Sequence, residues 1–134
     1  MMRPADQNLK LVLGLLLAVK AATFGLIFLG FQTLPFCEIC RASNFVYPAD
    51  SPTHLAVAYQ TWDAQHYLYL ADAGYKPDQP SNAFYPLFPL LIRWARPLFG
   101  GSAFFSGLAL ATFCSMGAVS LFYLLAKKQT GPET

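Results

Sequence analysis

Charged side chains are scarce in this chain. They make up 12% of its 134 residues, against 55% hydrophobic, and an average soluble domain carries about twice that share of charge. A single water-soluble core of this size needs more polar surface, so lipid is expected to solvate part of the chain. The net charge is only +2, which gives no basis for a nucleic-acid partner. There is no internal repeat and no low-complexity tract. Walker loops, dinucleotide glycine patterns and Ser/His/Asp triad spacings are also missing. Cysteine is sparse too, with three residues. Cys37 and Cys40 form a lone Cys-x-x-Cys, and a zinc site needs two further ligands that do not follow at useful spacing. The pair reads as free thiols or a local disulfide. Cys114 reads as a small buried hydrophobe.

What is present is long apolar runs. Residues 1–8 form a short polar lead, and residues 9–34 are almost wholly apolar. At about 1.5 Å per residue that run can cross a hydrocarbon core of roughly 30 Å. A signal peptide has an apolar region about half as long, ending in small residues. This run instead leaves through Leu34-Pro35-Phe36, so a retained transmembrane helix is expected. Lys20 lies inside it. A lysine near the middle of a span costs roughly 2.5–3.5 kcal/mol on insertion scales, so Lys20 either faces a polar or anionic partner or snorkels. After Gly100-Gly101-Ser102, residues 103–126 carry no charge and read as a second transmembrane helix, closed by Lys127-Lys128, with residues 127–134 as a tail. Arg3, Lys10, Lys127 and Lys128 favour cytoplasmic termini. The fold class expected is therefore an all-α membrane protein, two transmembrane helices flanking a large extracytoplasmic or lumenal loop with short amphipathic or interfacial helices.

That loop, residues 35–102, has polar turn clusters at 41–44, 47–52 and 76–82, too irregular for hydrocarbon. Within it residues 62–73 predict a helix. Thr61 is placed to cap it, Asp63 falls in the first turn where the helix dipole favours an anion, and Gly74 ends it. At about 100° per residue Gln65 and Asp72 point together, to water by residue type, and Asp63 points the other way with His66, Tyr67 and Leu70. Residues 84–99 are apolar but broken by Pro86, Pro89 and Pro97, which leaves a short helix over 89–96, read as interfacial. Arg93 and Arg96 share a face of it, suited to a phosphate in the headgroup layer or to plain anchoring.

Asp63 is the candidate catalytic residue. Its aromatic neighbours are expected to desolvate it, which suits a general base or, equally, a structural acid. His66 lies one turn on, but an Asp/His pair without a third ligand is a poor metal site, so no metal ligand is assigned. His54 has no recognisable partner.

The run Trp62-Asp63-Ala64-Gln65-His66-Tyr67-Leu68-Tyr69-Leu70-Ala71-Asp72-Ala73-Gly74-Tyr75, followed by Ala83-Phe84-Tyr85-Pro86-Leu87-Phe88-Pro89-Leu90, resembles PIG-V-type mannosyltransferases. These are multi-pass membrane enzymes of the GT-C class and include the second mannosyltransferase of GPI-anchor assembly. The resemblance implies transfer of a hexose, mannose in that family, from a polyprenyl-phosphate donor to an acceptor hydroxyl. It implies Asp63 as the catalytic or acceptor-orienting carboxylate, and it carries His66, Tyr67 and Tyr75 over as substrate-binding positions. Lys20, Arg93 and Arg96 are added as phosphate contacts on charge alone. No cofactor is implied, and a divalent-metal requirement is left open. The partners implied are the bilayer, the lipid-linked donor, and the remaining spans of a split or longer enzyme, because family members have many more spans. The membrane would be a bacterial inner membrane or the endoplasmic reticulum. The reading from another class is a truncated, catalytically inert membrane protein or subunit that pairs with another membrane protein.

Overall fold

The computed structural model describes residues 4–43, 45–49, 54–60 and 62–130. Among these, every regular element is helical. The two longest are α1, Pro4–Thr33, and the last helix, Ala103–Thr130. Within them Asn8–Thr33 and Ala103–Gln129, 26 and 27 residues, are long and apolar enough to cross a membrane. Their most apolar windows are 0% buried by protein, and side chains such as Leu11, Leu26, Phe113 and Phe122 stand exposed. Surface of that kind costs about 25 cal/mol per Å² in water, a cost that lipid removes. The helices overrun the spans expected at 9–34 and 103–126, because backbone hydrogen bonding continues into their polar ends.

The chain divides into two compact units, residues up to Leu26 with those from Ala111 onward, and Ile27–Leu110. The first consists of the greater parts of the two long helices. Lys20 lies there, partly covered, and among the described residues it has no ion-pair partner. The second unit carries four short helices: α2, Glu38–Ala42; α3, Leu55–Ala58; α4, Asp63–Ala73; and α5, Leu87–Ala95. Single 3-10 turns lie at Pro80–Ala83 and Arg96–Phe99. With those, Ala103–Thr130 becomes α6.

Proline and glycine set the limits of these helices. Pro86 caps α5 and Pro89 lies in its first turn, where a missing N–H leaves no broken bond. The helix expected at 89–96 thus begins two residues earlier and tightens into the 3-10 turn at Arg96. Gly74 ends α4 at φ 71°, and Gly100 and Gly101, at φ 61° and 81°, turn the chain into α6. These are backbone angles that glycine reaches without steric cost. Thr61, expected to cap α4, lies outside the described residues, and the cap position is held by Trp62.

The core of the second unit is small: Leu68 and Ala71 of α4, Ile92 of α5 and Ala103 of α6, with Tyr47, Tyr67, Phe88, Phe104 and Leu110 packed against them. Gly107 lets α6 approach α5 closely, since an added Cβ would lie 3.3 Å from Ile92 Cδ1. The opposite side of α5 is uncovered, with Leu87, Leu90 and Trp94 exposed and Tyr85 and Leu98 beyond its ends.

Candidate functional site

The region around α4 is held by aromatic stacking. The His66 imidazole is sandwiched between Phe45 and Phe84, centroids 4.5 and 4.6 Å away and planes tilted by 16° and 20°. Its Nδ1 shares a 2.9 Å hydrogen bond with Ser81 Oγ, a hydroxyl that is fully buried. Desolvation in this sandwich pushes the imidazole below its ordinary pKa of 6.5, and the nearby Asp63 carboxylate pulls it part of the way back. Tyr67 sets its ring edge-on to Phe84 and Phe88, 5.1 Å from each. The Tyr75 hydroxyl donates to the Phe84 carbonyl. These three expected substrate-binding residues therefore build the scaffold under α4 and fix the segment that carries Phe84.

Asp63 lies differently from its expected position. It is exposed, and among the described residues no hydrogen bond or ion pair holds it. Gln65, expected to face water, is 3% exposed, and its Oε1 accepts the Tyr47 N–H at 2.7 Å. Gln65 thus turns inward to a polar partner that residue type alone does not reveal, while Asp72 is exposed as expected. The desolvation expected of Asp63 is accordingly absent. What singles it out is its place as the first residue of α4, directly after a Trp62 held at φ 56° and ψ −130°. A bulky residue in that region is a rare and strained conformation, costing on the order of 1–3 kcal/mol, and such strain concentrates at functional sites. The Trp62 ring itself is 73% exposed.

The two arginines separate. Arg93 is exposed. Arg96 pairs with Asp72 through Nη1 and donates from Nε to the Gly101 carbonyl at 2.8 Å. Asp72 also accepts from the Tyr47 hydroxyl at 3.1 Å. Burial, and then the Asp72 carboxylate, push the Tyr47 phenol up from its ordinary pKa. This Tyr47–Asp72–Arg96 cluster ties the 45–49 segment and α4 to the turn before α6. The sequence reading missed it, because its members lie 24 and 25 residues apart and no local spacing links them.

Cys37 and Cys40 form a disulfide at the start of α2, and Cys114 is free and exposed. Beside the disulfide a cavity of about 200 Å³ is lined by Arg41, Val57, Trp62 and Gln65 among others. Among the described residues no group of three His, Cys, Asp or Glu side chains is placed to hold a metal ion. Comparison with protein-family models, with curated proteins and with solved structures found no match.

Proposed function

We propose that this chain is the amino-terminal portion of a membrane glycosyltransferase that moves a hexose, mannose by resemblance, from a polyprenyl phosphate to an acceptor hydroxyl. The observation that carries the proposal is Asp63: an exposed carboxylate with no hydrogen-bond or ion-pair partner among the described residues, set after a strained tryptophan. It lies, in chain order, between two helices long and apolar enough to cross a membrane. Asp63 takes the proton of the acceptor hydroxyl as its oxygen bonds to the anomeric carbon. The bond from that carbon to the phosphate oxygen breaks, and the lipid phosphate leaves as a stable anion that needs no proton. The helix N-terminus beside Asp63 favours negative charge at this place. In this reading residues 35–102 face the extracytoplasmic or lumenal side, and the uncovered Leu87, Leu90 and Trp94 of α5 rest in the headgroup layer, where an amphipathic tryptophan is at home. Arg93, on the same helix, is the arginine left for a lipid phosphate, since Arg96 is engaged by Asp72.

Two measurements test the proposal. The reading frame after Thr134, or the gene beside it, is expected to encode further apolar spans; unrelated sequence there supports the inert subunit instead. In membranes holding both parts, Asp63→Asn is expected to lower mannosyl transfer by about 10²-fold or more, the usual contribution of a general base, with membrane insertion unchanged. Transfer that persists in Asp63→Asn overturns the catalytic assignment.

A further inference from the structure

We infer that the cavity beside the Cys37–Cys40 disulfide is a binding subsite for a neutral, hydroxylated six-membered ring. Under the reading above, which this inference rests on, that ring is a non-reacting sugar of the acceptor. The deciding group is Gln65. Its side chain is 97% withdrawn from solvent, at 3% exposure, and it lines the cavity. The Tyr47 N–H bond at 2.7 Å commits Oε1 and so assigns the other terminal atom as the amide nitrogen. That nitrogen has no hydrogen-bond partner among the described residues. It is therefore free to donate to an oxygen of a ligand held in the cavity.

The rest of the wall suits a sugar. Val57, 2% exposed, gives an apolar floor. Trp62 gives a broad aromatic face at the edge, 73% exposed, on which the C–H side of a pyranose can lie. Arg41 also lines the cavity. The volume of about 200 Å³ is smaller than the roughly 300–1,000 Å³ of drug-sized pockets and matches one ring. Asp63 does not line the cavity. The ring held there is therefore not the one that reacts, and its binding serves to align the acceptor, as remote contacts do in enzymes that act on extended substrates.

The strained Trp62 backbone has a place in this account. It holds the indole at the cavity edge although that conformation disfavours the fold.

The test uses the full chain in detergent, with Trp94→Phe so that Trp62 is the only indole. Methyl α-mannopyranoside is expected to change the fluorescence saturably. Gln65→Glu keeps an oxygen for the Tyr47 N–H but removes the donor, and is expected to bind about tenfold more weakly. Trp62→Gly, followed by calorimetry, is expected to lose the binding while the protein stays folded. The inference is overturned by no response to the glycoside, by a response only to mannose 1-phosphate, or by undiminished binding in folded Gln65→Glu or Trp62→Gly protein. Asp63→Asn separates the two proposals, since it is expected to bind the glycoside normally and yet not transfer. Glycoside binding without Asp63-dependent transfer sinks the proposed function alone, and Asp63-dependent transfer without glycoside binding sinks the subsite alone.

Discussion

Arg96→Met asks whether this arginine serves the fold or a ligand. Arg96 and Asp72 are 34% and 28% exposed in their side chains. Their pairing thus falls between open surface pairs, worth about 0.2–1 kcal/mol, and shielded hydrogen bonds to charged groups, worth about 1.5–3 kcal/mol. A coupling of about 1 kcal/mol follows. The lost Nε bond to the Gly101 carbonyl adds roughly 0.5–1 kcal/mol, so Arg96→Met is expected to destabilise the second unit by about 2 kcal/mol. Asp72→Asn keeps the shape but not the charge. Unfolding of both single variants and the double, followed in detergent by near-ultraviolet circular dichroism of the tyrosines, closes a double-mutant cycle. The coupling is expected to shrink as salt rises from about 0.05 to 0.5 M, because the pair is partly open to screening. Single-variant effects that add within about 0.3–0.5 kcal/mol refute the cluster as a structural tie. A wild-type-like Arg96→Met with impaired activity restores Arg96 as a ligand contact.

Ile92→Ala opens a cavity beneath α6 where Leu68 and Ala103 meet, and is expected to cost about 2–5 kcal/mol by the same unfolding measurement. Gly107→Leu drives a side chain into Ile92 and is expected to destabilise by about 1–3 kcal/mol or more, with loss of the dispersed near-ultraviolet signal. Trp62→Gly, by contrast, is expected to gain about 1 kcal/mol, since it relieves the positive φ; a loss of stability contradicts the strain argument. The fourth expectation concerns pH. His66 in the fold has a pKa below its ordinary value of 6.5, so on acidification the unfolded chain binds the proton first. The stability from the neutral, stacked ring is present above about 6.5 and is lost as pH falls through that value toward the folded pKa. Removing the Asp63 charge is expected to lower the His66 pKa further, which an NMR titration of the ring reads directly; a rise in Asp63→Asn refutes the assigned cause.

Local rules served well wherever a residue's role depends only on its neighbours in the chain. Gly74, the proline limits of α5 and the Gly100-Gly101 break could all be read from single residues, because backbone angles are a local property. The rule that assigns a face by residue type failed at Gln65, although it held at Asp72, which is exposed. A polar side chain on a helix faces water only if nothing else offers it a hydrogen bond, and the Tyr47 N–H does so for Gln65 from a distant part of the chain. His66 shows the same limit. Its spacing from Asp63 is local, while the rings and hydroxyl that enclose it, from Phe45, Phe84 and Ser81, come from other segments and no local spacing reveals them.

By itself the sequence determined the two long apolar helices, since length and composition decide what can cross a hydrocarbon layer. It also marked out the stretch around Asp63 and the helix that carries it. Only the tertiary structure decided which side of that helix is covered, that Arg96 is spent on Asp72, and that Gln65 presents a donor to a cavity. Each of these depends on groups brought together across many residues, and the free energy of a buried polar group is set by the partner it meets rather than by its own identity.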